Sequence, residues 1–267
     1  MRAVLPLRFT KYHGLGNDFV VVDGPLMSSA RAARLCDRHR GLGADGILTI
    51  MAPRTPSAVA TMHVFNADGS VALMCGNGIR CVARHLADQY KFSGELVIDT
   101  LAGPRTCTVH RGQDGQVEAV SVEMGPARVD GEEIYTVGGE KLRTVRVNLG
   151  NPHAVLFDEP TRERASEVGP AIERQVPGGV NVGFARPGPD GIDVVVWERG
   201  SGLTEACGTG ACAAAVASVR SGAIPAGQPV EVRLPGGPLV ITVAADLSRV
   251  TMRGPAEPVY TGETHLP

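Results

Sequence analysis

Cys75 and Cys207 open two copies of one short segment. The first reads Met74-Cys75-Gly76-Asn77-Gly78 and continues IRCVARHLADQY; the second reads Ala206-Cys207-Gly208-Thr209-Gly210 and continues ACAAAVASVRSG. Each is Cys-Gly-x-Gly at the mouth of a helical pattern. A thiol at a helix N-terminus meets exposed N–H groups and the positive end of the helix dipole, and both favour the thiolate, the form that acts as a base. The glycines let the backbone approach a ligand and open successive N–H groups into an anion-binding nest. Two such corners suit a reaction that takes a proton from one face of a carbon and returns one to the other. One thiolate would remove the proton while the opposite thiol donates another, and the two nests would clamp a carboxylate where negative charge develops. That is racemisation or epimerisation, and the scheme requires no metal and no organic cofactor.

The elements that must position these thiols repeat as well. Leu15-Gly16-Asn17 matches Leu149-Gly150-Asn151; Asn66 and Glu198 each lie nine residues before their cysteine; Met124-Gly125-Pro126-Ala127 matches Arg253-Gly254-Pro255-Ala256. The pairs are offset by 129 to 134 residues, which is the size of a domain and far too long for a solenoid. The expectation is two pseudo-symmetric domains, 1–125 and 126–255. Domain interfaces are common ligand sites, so a cleft between the two is the expected active site. Strand patterns run through LRFTKYH, FVVVD, GILTI, ATMHVF, ELVID, RTCTVH and AVSVEM, and again through VRVNL, HAVLF, VNVGF, IDVVVW, VEVRL, LVITVAA and RVTMR. Ser28 and Thr161 read as N-caps of helices ending near His39 and Gln175. The cysteine-corner helices are expected over about 76–90 and 208–221, the second stopped by Gly222. Adjacent strands joined by Gly/Pro turns predict a largely antiparallel sheet, hence α+β. The segment 125–142 reads as the crossover between halves.

Composition bounds the partners. A net charge of −2 gives no electrostatic reason for nucleic acid or an anionic membrane. The sequence has no apolar run of membrane-spanning length, and its first ten residues are too mixed for a signal peptide. Six cysteines in 267 residues do not make a disulfide scaffold, and a reducing cytoplasm is the reading. Only Lys11, Lys91 and Lys141 are available for a Schiff base, none in a phosphate-cradling context. Cys36, Cys81, Cys107 and Cys212 read as small buried hydrophobes. No Cys-x-x-Cys pair suggests zinc.

The chain resembles the diaminopimelate epimerase family over nearly its full length. The resemblance rests on HGLGNDFVVVD (13–23), DRHRGLGADG (37–46), FNADGSVALMCGNGIRC (65–81), NLGNPHAVLF (148–157), NVGF (181–184) and WERGSGLTEACGTGACAAA (197–215). Proline racemases and hydroxyproline epimerases share the two-thiol logic but carry Met-Cys-Gly-His-Gly at the first corner and an Asp before the second. The resemblance implies Cys75 and Cys207 as the acid/base pair. It implies Gly76, Asn77, Gly208 and Thr209 as backbone donors to the reacting carboxylate, and Asn17, Asn66, Asn151, Asn181, Glu198 and Arg199 as substrate contacts. It implies His153 as a histidine that tunes the thiols, and a homodimer. It further implies that each domain is a curved sheet around a central helix, and that the end of the chain, about 256–267, returns to the first domain. A second amino-acid head on the substrate suits Arg199 for its carboxylate and Glu198 for its ammonium. Asn17 and Asn66 also read as turn formers, Glu198-Arg199 as a surface ion pair, and His153 as a hydrogen-bonded histidine beside a Pro turn. Gly46 departs from members that place a glutamine contact there. His13, Asp18 and Asp45 read as structural.

Other functions stay open on the residues alone. A proline-type racemase would act on amino acids without a distal head. A cysteine hydrolase using His153 would show an acyl-enzyme burst, and a binding module would hold ligand without solvent exchange.

Overall fold

The computed structural model describes residues 6–266. The chain forms two compact units, Met1–Val122 with Gly254–Pro267, and Glu123–Arg253. Both are α+β, built from short strands and two helices each.

In the first unit, β1 (Leu7–Gly14) and β2 (Asn17–Asp23) form a hairpin. Its turn residues Leu15 and Gly16 both have positive φ, 57° and 83°, the hand that a two-residue hairpin turn demands. Gly16 adopts it without cost; Leu15 is held there by a buried side chain. Helix α1 (Ser29–Cys36) leads to β3 (Gly46–Met51), parallel to β2. Strand β4 (Ala60–Asn66) and the short β5 (Val71–Ala72) precede α2 (Gly76–Gln89). The chain then enters β6 (Gly94–Asp99), parallel to β4, and continues through β7 (Arg105–Arg111) and β8 (Val117–Gly125).

The second unit repeats this order after one additional strand. It runs β9 (Arg128–Val137), β10 (Glu140–Asn148), β11 (Pro152–Leu156), α3 (Arg162–Gln175), β12 (Asn181–Gly188), β13 (Gly191–Glu198) and β14 (Gly202–Leu203). It continues with α4 (Gly208–Arg220), β15 (Pro229–Leu234), β16 (Gly237–Val243) and β17 (Val250–Gly254). The last strand, β18 (Glu257–Thr264), pairs antiparallel with β1, as β9 does with β10. Pairing is otherwise antiparallel except at β2–β3, β4–β6, β11–β12 and β13–β15. Those parallel neighbours need crossovers, and a helix supplies each one.

The helices carry the cores. Ala32, Leu35 and Cys36 of α1 pack with Val20, Val22, Ile47 and Phe65; Ala165, Val168 and Ile172 of α3 pack with Leu156, Val182 and Phe184. Helix α4 is buried from Ala211 to Ala217, as expected of a helix apolar on every side. No described helix is long and apolar enough to cross a membrane.

Three expectations need correction. Helix α1 stops at Cys36, before His39, because the Asp37 carboxylate takes the N–H groups of His39 and Arg40 and bends the chain. The segment read as a crossover is largely strand β9, a hairpin partner of β10 through Gly138 and Gly139. Its pattern escapes detection because seven of ten residues face solvent and carry no alternation. Strand β18 was not expected either, since EPVYTGET contains Pro, Gly and charge.

Candidate active site

Each cysteine is the N-cap of its helix. Cys75 has extended backbone (φ −134°, ψ 118°) and its Sγ accepts the Gly78 N–H at 3.3 Å. Cys207 does the same (φ −113°, ψ 105°) with the Gly210 N–H, also at 3.3 Å. Sulfur thus occupies the place that a Ser or Asp oxygen takes in ordinary caps. At a helix N-terminus the N–H groups of the next two residues point outward, away from the helix's own carbonyls. These are Gly76 and Asn77 at one corner, Gly208 and Thr209 at the other. The second glycine of each corner is a tight place: a Cβ on Gly78 would lie 3.0 Å from Leu48 Cδ2, and one on Gly210 2.7 Å from Val196 Cγ2 and 3.2 Å from Cys207 Sγ.

The two thiols sit in different surroundings. Cys75 is half-buried, Cys207 buried. Burial, then the charge of Glu198, pushes the Cys207 thiol up well above its usual range; Thr209 and the Gly210 N–H oppose this. Glu198 also accepts a hydrogen bond from the Thr204 hydroxyl. Thr204 was not among the expected residues, although it lies within the TEACGTG motif. Burial likewise lifts Cys36, Cys81 and Cys107, to about 11, 12 and 12; unlike Cys75 and Cys207, none of them caps a helix N-terminus.

Around Cys75, Asn77 and Asn17 belong to one hydrogen-bonded chain. Arg80, fully buried, donates to Asn77 Oδ1 at 3.1 Å, to Gly76 O at 3.3 Å and to Pro255 O at 3.1 Å. Asn77 Nδ2 donates to Asn17 Oδ1 at 3.1 Å, and Asn17 Nδ2 to Asp45 Oδ2 at 2.9 Å. Arg38 bridges Asp45 and Asp18, and the buried Lys11 pairs with Asp18. Asp18 and Asp45 thus tie Lys11, Arg38 and Asn17 together. Arg80 and Arg38 were overlooked; the available signal for Arg80 was its place one turn after Asn77, within the cysteine-corner motif. Asn66 is exposed and donates to Ser70 within the β4–β5 turn. Gly46 stands opposite Asn66, and a Cβ there would meet Phe65 O at 2.6 Å. The glutamine of some relatives has no room on this backbone.

Around Cys207, His153 Nε2 faces Asn151 Oδ1 at 3.1 Å, and Asn151 Nδ2 donates to Thr209 Oγ1 at 3.2 Å. Asn181 donates to Pro152 O and accepts the Arg199 N–H at 3.0 Å, so it pins the strand end that carries Glu198 and Arg199. The Arg199 guanidinium donates to Gly178 O, while Glu198 turns to Thr204 and Cys207. Among the described residues no group of three or more His, Cys, Asp or Glu could hold a metal. Two hollows of the first unit, of about 590 and 670 Å³, are lined by neither Cys75 nor its nest.

Comparison with known proteins bears on this arrangement. The model of the family described as diaminopimelate epimerase matches residues 9–129 and 145–259. A diaminopimelate epimerase of Gloeothece citriformis is 40% identical, covering 96% of this chain and 98% of that protein. One from Pseudomonas syringae is 41% identical, covering 97% and 99%. Among solved structures, a hydroxyproline epimerase from Agrobacterium vitis superposes with a TM-score of 0.78 at 17% identity, over 98% of this chain and 93% of that one. A phenazine biosynthesis protein from Bacillus anthracis gives 0.73 at 13%, over 97% and 99%. Those two structures share the fold alone. Sequence similarity over nearly the whole length places the chain in the diaminopimelate epimerase family.

Proposed function

We propose that this enzyme interconverts L,L- and meso-2,6-diaminopimelate by moving a proton at one α-carbon, an isomerisation that serves lysine and peptidoglycan precursor synthesis. The observation that carries the reading is the matched pair of cysteine caps, each sulfur seated on a helix N–H. One sulfur as thiolate takes the α-proton; the other as thiol returns one to the opposite face. With the other isomer the roles exchange, so neither thiol is spare. The N–H groups of Gly76 and Asn77, and of Gly208 and Thr209, suit the carboxylate on the reacting carbon, where charge grows. Arg199, with the amides of Asn66, Asn151 and Asn181, suits the distal head, and a substrate without that head would leave these groups unpaired. Asn17 holds the Asn77 amide in place. Glu198, first read as a contact to the distal ammonium, is better used as acceptor for the Cys207 proton. No metal or organic cofactor enters the scheme. A reducing cytoplasm would keep the thiols competent, and a homodimer is proposed on the family resemblance.

Proton NMR of L,L-diaminopimelate with the reduced protein in D2O tests the reading. Deuterium should enter the α-position as the meso isomer forms. Cys75→Ser and Cys207→Ser should each lower turnover by about 100-fold or more. Turnover of hydroxyproline without exchange of diaminopimelate would overturn the substrate, and near-normal turnover in either variant would overturn the two-base scheme.

A further inference from the structure

Asn17 and Asn151 hold equivalent places in the two halves, and so do Asn77 and Thr209. In each unit the loop residue is hydrogen-bonded to the helix residue, but in opposite senses. Asn77 donates to Asn17 in the first unit, whereas Asn151 donates to Thr209 in the second. The donor behind each pair sets the sense. Arg80 can only donate; it takes the Asn77 oxygen and leaves the Asn77 nitrogen to donate. His153 plays that part in the second unit by taking the Asn151 oxygen. Burial, helped by the charge of Arg199, holds His153 down at about 3, so the ring is neutral and carries one proton. A carbonyl oxygen opposite Nε2 requires that proton to sit on Nε2. Its Nδ1 is buried with no hydrogen-bond partner among the described residues, as fits a bare lone pair.

The chain then has one direction. His153 donates to Asn151, and Asn151 donates to the Thr209 hydroxyl. The Thr209 proton is left for Cys207 Sγ, 3.7 Å away, while the proton of the sulfur itself goes to Glu198. Within this unit Glu198, at the end of β13, is the charged group that faces Cys207; the residues after Cys207 on α4, Gly208, Thr209, Gly210 and Ala211, carry no charge.

We propose that His153 is a positioning residue that acts through Asn151 to aim the Thr209 hydroxyl at the Cys207 sulfur, giving that thiolate a side-chain donor besides the Gly210 N–H. The donor is needed in the half-reaction in which Cys207 removes the proton, so the inference rests on the two-thiol reading of the site. At the first corner the equivalent group, the Asn77 amide nitrogen, is turned to Asn17 instead. The duplicated contact has thus been put to two uses by changing the donor behind it.

The test is alkylation of Cys207 by iodoacetamide in full-length Cys75→Ser protein, mapped by mass spectrometry at one mildly alkaline pH. Where thiolate is the minor form, losing a hydrogen bond to it raises the thiol by about one pH unit and slows alkylation about tenfold. Thr209→Val should show that loss, and Thr209→Ser should keep the parent rate. His153→Phe should slow alkylation too, but not further when Thr209→Val is already present. If His153→Phe does not fold, Asn151→Ala in the same two backgrounds decides the point. An unchanged rate in folded Thr209→Val overturns the proposal, as does a His153 or Asn151 effect that adds to it. A raised KM with unchanged alkylation would put the hydroxyl on the substrate carboxylate, and also overturns it. Alkylation needs no substrate, so failure of the diaminopimelate exchange is read separately.

Discussion

At the scale of single residues, the chemistry follows from where side chains compete for the same proton. Asp18 illustrates the point. Burial alone would raise its carboxyl, yet hydrogen bonds from Arg38 and Lys11 and a contact with Asp45 hold it down at about 2. Its folded value lies below the ordinary value for aspartate, so its stabilisation is present above about pH 4 and is lost as pH falls toward 2. Asp18→Asn should therefore destabilise the protein at neutral pH by about 3 kcal/mol, because Lys11 stays buried without its anion. The gap from the parent should shrink on acidification to pH 2, as urea titrations at both pH values would reveal. A gap independent of pH would mean that the network is held by packing instead. Cys75, Cys207, Asn17, Asn151 and Asn66 stood out in the sequence because duplicated motifs mark them, whereas Asn181 was singled out by the family resemblance alone. The sense of each amide was not legible, since Asn reads the same whichever way it donates and only the neighbouring Arg80 or His153 decides.

At the scale of elements, the site depends on how closely a helix mouth can approach a strand. Gly210 is the tight place, with Val196 on β13 and the Cys207 sulfur both inside the reach of an added methyl. Gly210→Ala should cost about 1–3 kcal/mol through overpacking and should lower kcat more than it raises KM, since it displaces the sulfur and not the distal contacts. Thermal unfolding and steady-state kinetics check both parts; a variant with full stability and full kcat would show that the corner yields. Helix starts were legible because Ser28, Thr161 and the two cysteines announce them. Where alternation was absent, as in β9 and β18, the strands were not legible. Their pairing is dictated by β10 and β1, which lie elsewhere in the chain.

At the scale of the whole molecule, the two units reach the same pairing order from different parts of the chain. The second collects its strands in sequence, from β9 to β17; the first waits for β18, which covers β1 and packs Tyr260 edge-on against Phe9. Removing residues 257–267 should bare the β1 edge and the Phe9 ring. The expected result is a melting midpoint lower by on the order of 10 °C and association measurable by light scattering. Unchanged melting and a monodisperse sample would mean that β18 is dispensable. The pairing of Leu7 with Thr264 also fixes an order of events during synthesis. A ribosome delivers most of the first unit before the second, yet the outer ladder of the first stays open until β18 has been made. The unit encoded later closes on nearby strands. Biogenesis therefore runs against the direction of translation, and a nascent chain stalled just before β18 would carry a finished second unit and an incomplete first.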